Sequence, residues 1–126
     1  MSRPRPRPTD AELAILQVLW RHGPSTVRQV HERLSGARET GYTTTLKLMQ
    51  IMAEKGLVTR DESARTHVYK ARRSREQTQR QLVSDLLDRA FGGSAAALVM
   101  QALSAQPHSA EELREIRRLL DDYQRS

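Results

Sequence analysis

Between Gly41 and Lys70 the chain changes its period once, and no other feature limits the possible folds as much. Up to Lys55 the apolar residues recur at helical spacing, and Gly56 then supplies a C-cap. From Leu57 onward the pattern is extended: Leu57-Val58-Thr59-Arg60, a turn-prone Asp61-Glu62-Ser63-Ala64, then Arg65-Thr66-His67-Val68-Tyr69-Lys70, rich in β-branched and aromatic residues. This predicts a β-hairpin with basic flanks. Two helices are expected before it. Thr9-Asp10-Ala11-Glu12 is a capping box that opens a helix with Leu13, Leu16, Leu19 and Trp20 on one stripe, Trp20 being a core anchor, and His22-Gly23-Pro24 closes it. Ser25 or Thr26 then caps a second helix with Val27, Val30 and Leu34 on one face, which stops near Ser35-Gly36 and leaves Arg28 and Arg33 outward. Three short helices followed by a hairpin is the order of a winged helix-turn-helix.

The third helix, from about Gly41-Tyr42-Thr43 to Lys55, has two unlike faces. At about 100° per residue Thr43, Lys47, Gln50 and Glu54 share a narrow polar stripe, while Thr45, Leu48, Met49 and Met52 fall on the other side. Short polar side chains with one lysine suit the major groove, because threonine hydroxyls and methyls reach base edges without bulk. Lys47 can donate to guanine O6 or N7, and Gln50 can pair bidentately with adenine. Tyr42, Thr43 and Thr44 occupy the first turn, where helix N-terminal amides and hydroxyls hold phosphates. An ordinary solvated face would look the same in polarity, but its place inside a helix-turn-helix favours contact with DNA.

Charge is segregated along the chain. Residues 1–75 carry fifteen Lys or Arg against seven Asp or Glu, and residues 76–126 carry six against eight. The positive charge therefore belongs to the front of the molecule, as expected for a partner that is a polyanion. Arg60, Arg65, His67 and Lys70 on the hairpin, with Arg72 and Arg73 beyond it, are placed to neutralise backbone phosphates, which position a protein and make its binding salt-dependent. The arm Ser2-Arg3-Pro4-Arg5-Pro6-Arg7-Pro8 has no apolar side chain and should be extended and mobile, disordered over residues 1–8. It serves either as a cationic arm along DNA or as a solvated leader.

From residue 74 onward the pattern is helical. Ser74-Arg75-Glu76-Gln77 is a second capping box, opening a helix with Leu82, Val83, Leu86, Leu87, Ala90 and Phe91 on one stripe and ending at Gly92-Gly93. Ala95–Leu103 forms a short apolar helix, and Ser109-Ala110-Glu111-Glu112 is a third box before Leu113, Ile116, Leu120 and Tyr123, spaced like a coiled-coil seam. These faces read as a dimerisation domain over residues 74–126, in preference to a helical subdomain folded back on the winged helix of residues 9–73. The fold class expected is thus mainly α with a small β-hairpin: an N-terminal winged helix-turn-helix plus a C-terminal helical dimerisation domain.

Composition narrows the chemistry. At 126 residues the chain is too short for two independent globular cores. It has no cysteine, which removes disulfides, thiol catalysis, cysteine-ligated zinc, Fe–S clusters and thiolate copper. There is no run of roughly eighteen apolar residues and no secretory leader, so a cytoplasmic protein without membrane insertion is expected. His22, His31, His67 and His108 lie far apart and read as surface or helix-end residues, so no metal site is expected. No nucleophile elbow, P-loop, dinucleotide turn or zinc-protease helix is present, so neither an enzyme nor a cofactor is expected. A sequence-reading DNA binder is preferred over a winged-helix module that binds an acidic protein and over a sequence-independent DNA binder led by the arm.

Gly41-Tyr42-Thr43-Thr44-Thr45-Leu46-Lys47-Leu48-Met49-Gln50, continued by Glu54-Lys55-Gly56-Leu57-Val58 and Val68-Tyr69, resembles the penicillinase-repressor (BlaI/MecI/CopY) family. Ala11-Glu12-Leu13 with Trp20, and Phe91-Gly92-Gly93 before Leu98-Val99, extend the likeness over nearly all of the chain after Pro8. The resemblance implies a bacterial homodimeric repressor that binds an inverted repeat in a promoter. Thr43, Thr44 and Lys47 would face DNA, Arg65 and His67 would sit in the wing, and residues 82, 86, 113, 116 and 120 would pair the subunits. The copper-responsive branch carries a C-terminal cysteine cluster, which this chain lacks. In the β-lactam branch a membrane-bound sensor metalloprotease cuts the C-terminal helices; the matching stretch here, Leu98-Val99-Met100-Gln101-Ala102, does not show the Asn-Phe pair of some of those repressors.

Overall fold

A computed structural model describes residues 7–34 and 41–125. The elements run α1 (Asp10–His22), α2 (Val27–Leu34), α3 (Tyr42–Lys55), β1 (Val58–Asp61), β2 (Val68–Ala71), α4 (Arg75–Ala90), α5 (Ala95–Ala105) and α6 (Ala110–Arg125). The chain is mainly helical with one two-stranded hairpin, as its periodicity predicts. Most of the arm, residues 1–6, and the expected stop of the second helix at Ser35-Gly36 lie outside the described residues.

Two compact units are present, one ending at Leu82 and the other beginning at Val83, so the division falls inside α4. The buried core belongs to the first. Ile15, Leu16 and Leu19 from α1 meet Val27 and Val30 from α2, Met49 and Met52 from α3, and Leu57, Val58 and Tyr69 from the hairpin. Each helix contributes the inner face that its spacing marks out. Gly56 ends α3 in the left-handed region at φ 79°, where a side chain would be strained, and the chain turns at once into β1.

Trp20, expected as a core anchor, packs against the core from its edge. It is half-buried, and its indole Nε1 donates to the Arg73 carbonyl at 3.0 Å, pinning the segment that leaves β2. An amphipathic ring with one polar tip fits the rim of a core better than its centre. The hairpin pairs Val58 with Ala71, Thr59 with Lys70, Arg60 with Tyr69 and Asp61 with Val68. The first strand is shifted by one residue and the second is shorter than the sequence suggests. Asp61 Oδ1 accepts from the Ser63 amide at 2.9 Å, and this local turn ends β1 and leaves residues 62–67 as a loop, so Arg65 and His67 stand on the loop and not on a strand.

Two of the expected capping boxes form in full: Thr9 with Glu12, and Ser74 with Gln77. At the third, the Glu112 amide donates to Ser109 Oγ, but the Glu112 carboxylate turns to His108 Nδ1 at 3.0 Å. His108 also reaches the Ala102 carbonyl at 3.0 Å and so joins α5 to α6 instead of lying free on the surface; that carbonyl and then Glu112 hold its imidazole above its ordinary pKa. A box not expected from the sequence opens α2, where Thr26 and Gln29 bond reciprocally at 2.9 and 3.2 Å.

Glu12 carries a second duty. It is almost fully buried, and its Oε1 accepts from the Thr9 amide at 2.8 Å and from Lys55 Nζ at 2.7 Å, joining the start of α1 to the end of α3. Burial pushes its pKa up, but Lys55 and the Thr9 amide outweigh burial and hold it below the ordinary 4.5. A carboxyl depressed in this way contributes stability that is fully present above its unfolded pKa and is lost as pH falls through its folded one. Glu12→Gln keeps an acceptor for Thr9 and loses the ion pair, so it should cost about 1.5–3 kcal/mol at neutral pH. Urea titrations should show the two proteins converging as pH falls below the ordinary carboxylate range, and a constant difference down to acid pH would contradict the ion pair.

Candidate nucleic-acid interface

The outer side of α3 is built as its face arithmetic requires. Tyr42, Thr43, Thr44, Lys47, Gln50 and Glu54 are exposed, while Thr45, Met49 and Met52 are buried. Because the inner residues interlock with α1, α2 and the hairpin, the helix cannot roll to hide its polar side. All five side chains expected to touch DNA from this helix (Tyr42, Thr43, Thr44, Lys47 and Gln50) are therefore exposed. The cap position, Gly41, offers no side-chain bond to the first-turn amides.

That first turn is braced from α2 by residues the sequence reading left out of the site. The Arg28 guanidinium lies 5.4 Å from the centre of the Tyr42 ring, and the His31 ring meets it edge-on at 5.8 Å and 85°. His31 Nδ1 also lies 3.3 Å from Thr45 Oγ1, whose hydroxyl donates to the Gly41 carbonyl at 3.5 Å. His31 is therefore half-buried between two helices and not a surface histidine. The i, i+3 spacing of Arg28 and His31 put them on one side of α2, which was the available signal.

The hairpin carries the second group. Arg60, Arg65, His67 and Lys70 are all exposed, with Arg65 and His67 on the loop and Arg60 and Lys70 on the strands. Arg60 differs from the others because its Nη2 is 2.6 Å from Glu62 Oε1. The Tyr69 hydroxyl and, against slight desolvation, Glu62 hold its guanidinium above its ordinary pKa. With its charge already matched, Arg60 has less to offer a phosphate than Arg65 or Lys70. Arg73 is half-buried and lends its carbonyl to Trp20, whereas Arg72 is exposed.

Three helices, a two-stranded wing and a last helix with its polar side bare define a winged helix-turn-helix of the DNA-binding type. The family model described as the penicillinase repressor matches residues 8–122. The protein belongs to the penicillinase-repressor family of winged-helix DNA-binding transcriptional regulators, which are not enzymes. It is 41% identical over 93 residues to the transcriptional regulator BlaI of Mycobacterium tuberculosis, covering 71% of this chain and 67% of that one. It is 23% identical over 118 residues to the penicillinase repressor of Bacillus licheniformis, covering 94% and 92%. Among solved structures it is similar to the monomeric form of Bacillus licheniformis BlaI in complex with the blaP half-operator, with TM-score 0.51, 23% identity, and 60% and 92% covered. It is also similar to the YusO protein of Bacillus subtilis, with TM-score 0.51, 18% identity, and 94% and 76% covered.

If the Tyr42 ring is the brace between α2 and α3, its hydroxyl matters less than its face. Tyr42→Phe should leave unfolding free energy nearly unchanged, while Tyr42→Ala should lower it by about 1 kcal/mol through loss of the Arg28 and His31 contacts. Equal effects in chemical denaturation would remove the ring from that role.

Proposed function

We propose that the protein is a cytoplasmic repressor that binds a palindromic promoter operator as a homodimer, each subunit laying the Tyr42–Gln50 side of α3 in a major groove. Thr43, Thr44, Lys47 and Gln50 address base edges there, while Tyr42 and the wing residues Arg60, Arg65 and His67 take backbone phosphates. The observation that carries this is the contrast across α3, with Thr45, Met49 and Met52 locked inward and the threonines and lysine bare. The complex of Bacillus licheniformis BlaI, of like fold, with the blaP half-operator supports operator DNA as the partner.

Dimerisation rests on α4, α5 and α6, none of which contains a buried residue. Among the described residues, every large exposed hydrophobic except Tyr42 lies between Val83 and Tyr123. Leu86, Leu113, Leu120 and Tyr123 are 45% to 81% exposed, while Leu82, Phe91 and Ile116 are half-buried. Apolar faces of this extent call for a partner surface, and a second copy supplies an identical one. Pairing joins two weak half-site contacts at high effective concentration. The family resemblance, and no contact in the structure, brings in relief of repression by a membrane-bound sensor metalloprotease that cuts the C-terminal helices. Fragments whose new ends lie outside residues 83–125 after exposure to such a protease would exclude it.

The operator is first selected from random duplexes, and variants are then compared on it. Lys47→Ala should relax base preference, whereas Arg65→Ala should weaken binding to all sequences alike and lower the salt slope by about one. Leu120→Asp should sediment as a monomer and lose operator affinity by orders of magnitude. Identical sequence profiles for Lys47→Ala and Arg65→Ala, or a dimeric Leu120→Asp protein, would contradict these assignments.

A further inference from the structure

On the first unit, an open cleft of about 530 Å³ is lined by Gln17, Val18, Arg21, His22, Arg33 and Arg75. Three helices meet there: α1 supplies Gln17, Val18, Arg21 and His22, α2 supplies Arg33, and α4 supplies Arg75. Three linings are guanidinium groups, a fourth is an imidazole, and none is a carboxylate. Arg21 and His22 have an ordinary reason to be present, since they occupy the last turn of α1, whose free carbonyls attract cations. That reason does not extend to the other two. Arg33 sends Nη1 to the neutral Ser25 Oγ at 3.3 Å. Arg75 is the first residue of α4, the end of a helix where a cation is disfavoured by the dipole and an anion is welcomed. Slight desolvation, followed by the charges of Arg33 and Arg21, also holds the His22 imidazole below its ordinary pKa, so these groups lie close enough to repel one another.

Three guanidinium groups line the cleft with no carboxylate among the lining residues, and planar guanidinium forks match closely spaced anionic oxygens. We propose that this cleft binds a small dianion, a di- or tricarboxylate or a phosphate, bridging α1, α2 and the start of α4. Gln17 supplies a neutral donor at its edge and Val18 an apolar wall, a mixture suited to a compact organic acid or phosphate ester. The cleft uses none of the α3 or wing residues assigned to DNA.

Titration of the full-length protein with citrate and, separately, with pyrophosphate tests this by amide NMR, with sodium chloride matched for ionic strength. Saturable shifts should centre on Gln17, Arg21, His22 and Arg75. Arg21→Gln and Arg75→Gln should each weaken binding about tenfold or more, while Arg117→Gln on α6 should leave it unchanged. Saturation by citrate alone identifies carboxylates, by pyrophosphate alone phosphates, and by both a general dianion site. The proposal is overturned by shifts that follow ionic strength only, by shifts centred on the wing, or by a cleft that responds to duplex DNA and to neither small anion. Unchanged melting temperatures of the variants exclude misfolding as the cause, and because the titration contains no DNA, failure of operator binding would not affect it.

Discussion

The placement of the wing depends on one short piece of backbone pairing. Ser25, in the turn between α1 and α2, donates its amide to the Tyr69 carbonyl at 2.9 Å and accepts from the Tyr69 amide at 2.8 Å. Both residues are about 1% exposed. This bridge adds a third short strand position beside the hairpin and sews β2 onto the helical core, so that the wing and α3 share one rigid frame. A hairpin of two four-residue strands would be marginal by itself, and Ser25 together with the buried Tyr69 ring makes it part of the fold. Phosphate contacts from the wing can therefore be made in fixed register with base contacts from α3.

The two ends of the chain solve different physical problems. The first unit satisfies itself: among the described residues ten hydrophobic ones are buried, and the deeply buried carboxylate of Glu12 is matched by Lys55. The second unit leaves its apolar residues on the surface of a lone chain, and its internal ties are polar and local, as in the link from His108 to Ala102 and Glu112. A DNA-reading unit must hold its shape before it meets a ligand, whereas a dimerising unit can complete its core from a second subunit.

Much of this was legible in the sequence wherever the signal is local. The boxes at Thr9 and Ser74, the stop at Gly56 and the split between the two sides of α3 each follow from neighbouring residues, and each stands where the pattern places it. What escaped is mostly non-local. A single bridge such as Ser25 to Tyr69 has no period to detect, the Glu12–Lys55 pair spans the first three helices, and the stack of Arg28 and His31 on Tyr42 depends on how α2 meets α3. The wing loop was misplaced because β-branched and aromatic residues at 66–69 suggest a longer strand than the Asp61–Ser63 turn allows. The Thr26–Gln29 box is local too, since Gln29 stands three residues after Thr26 and completes what Thr26 alone reads as a simple cap.

Chemical footprinting on the selected operator tests the account most directly, because dimethyl sulfate marks guanine N7 in the major groove and adenine N3 in the minor groove. The account predicts protection of guanine N7 in two patches whose centres lie about one helical turn apart, with adenine N3 beneath those patches still reactive. Protection confined to adenine N3, or none at any base while the backbone is covered, would contradict a base-reading role for the exposed side of α3.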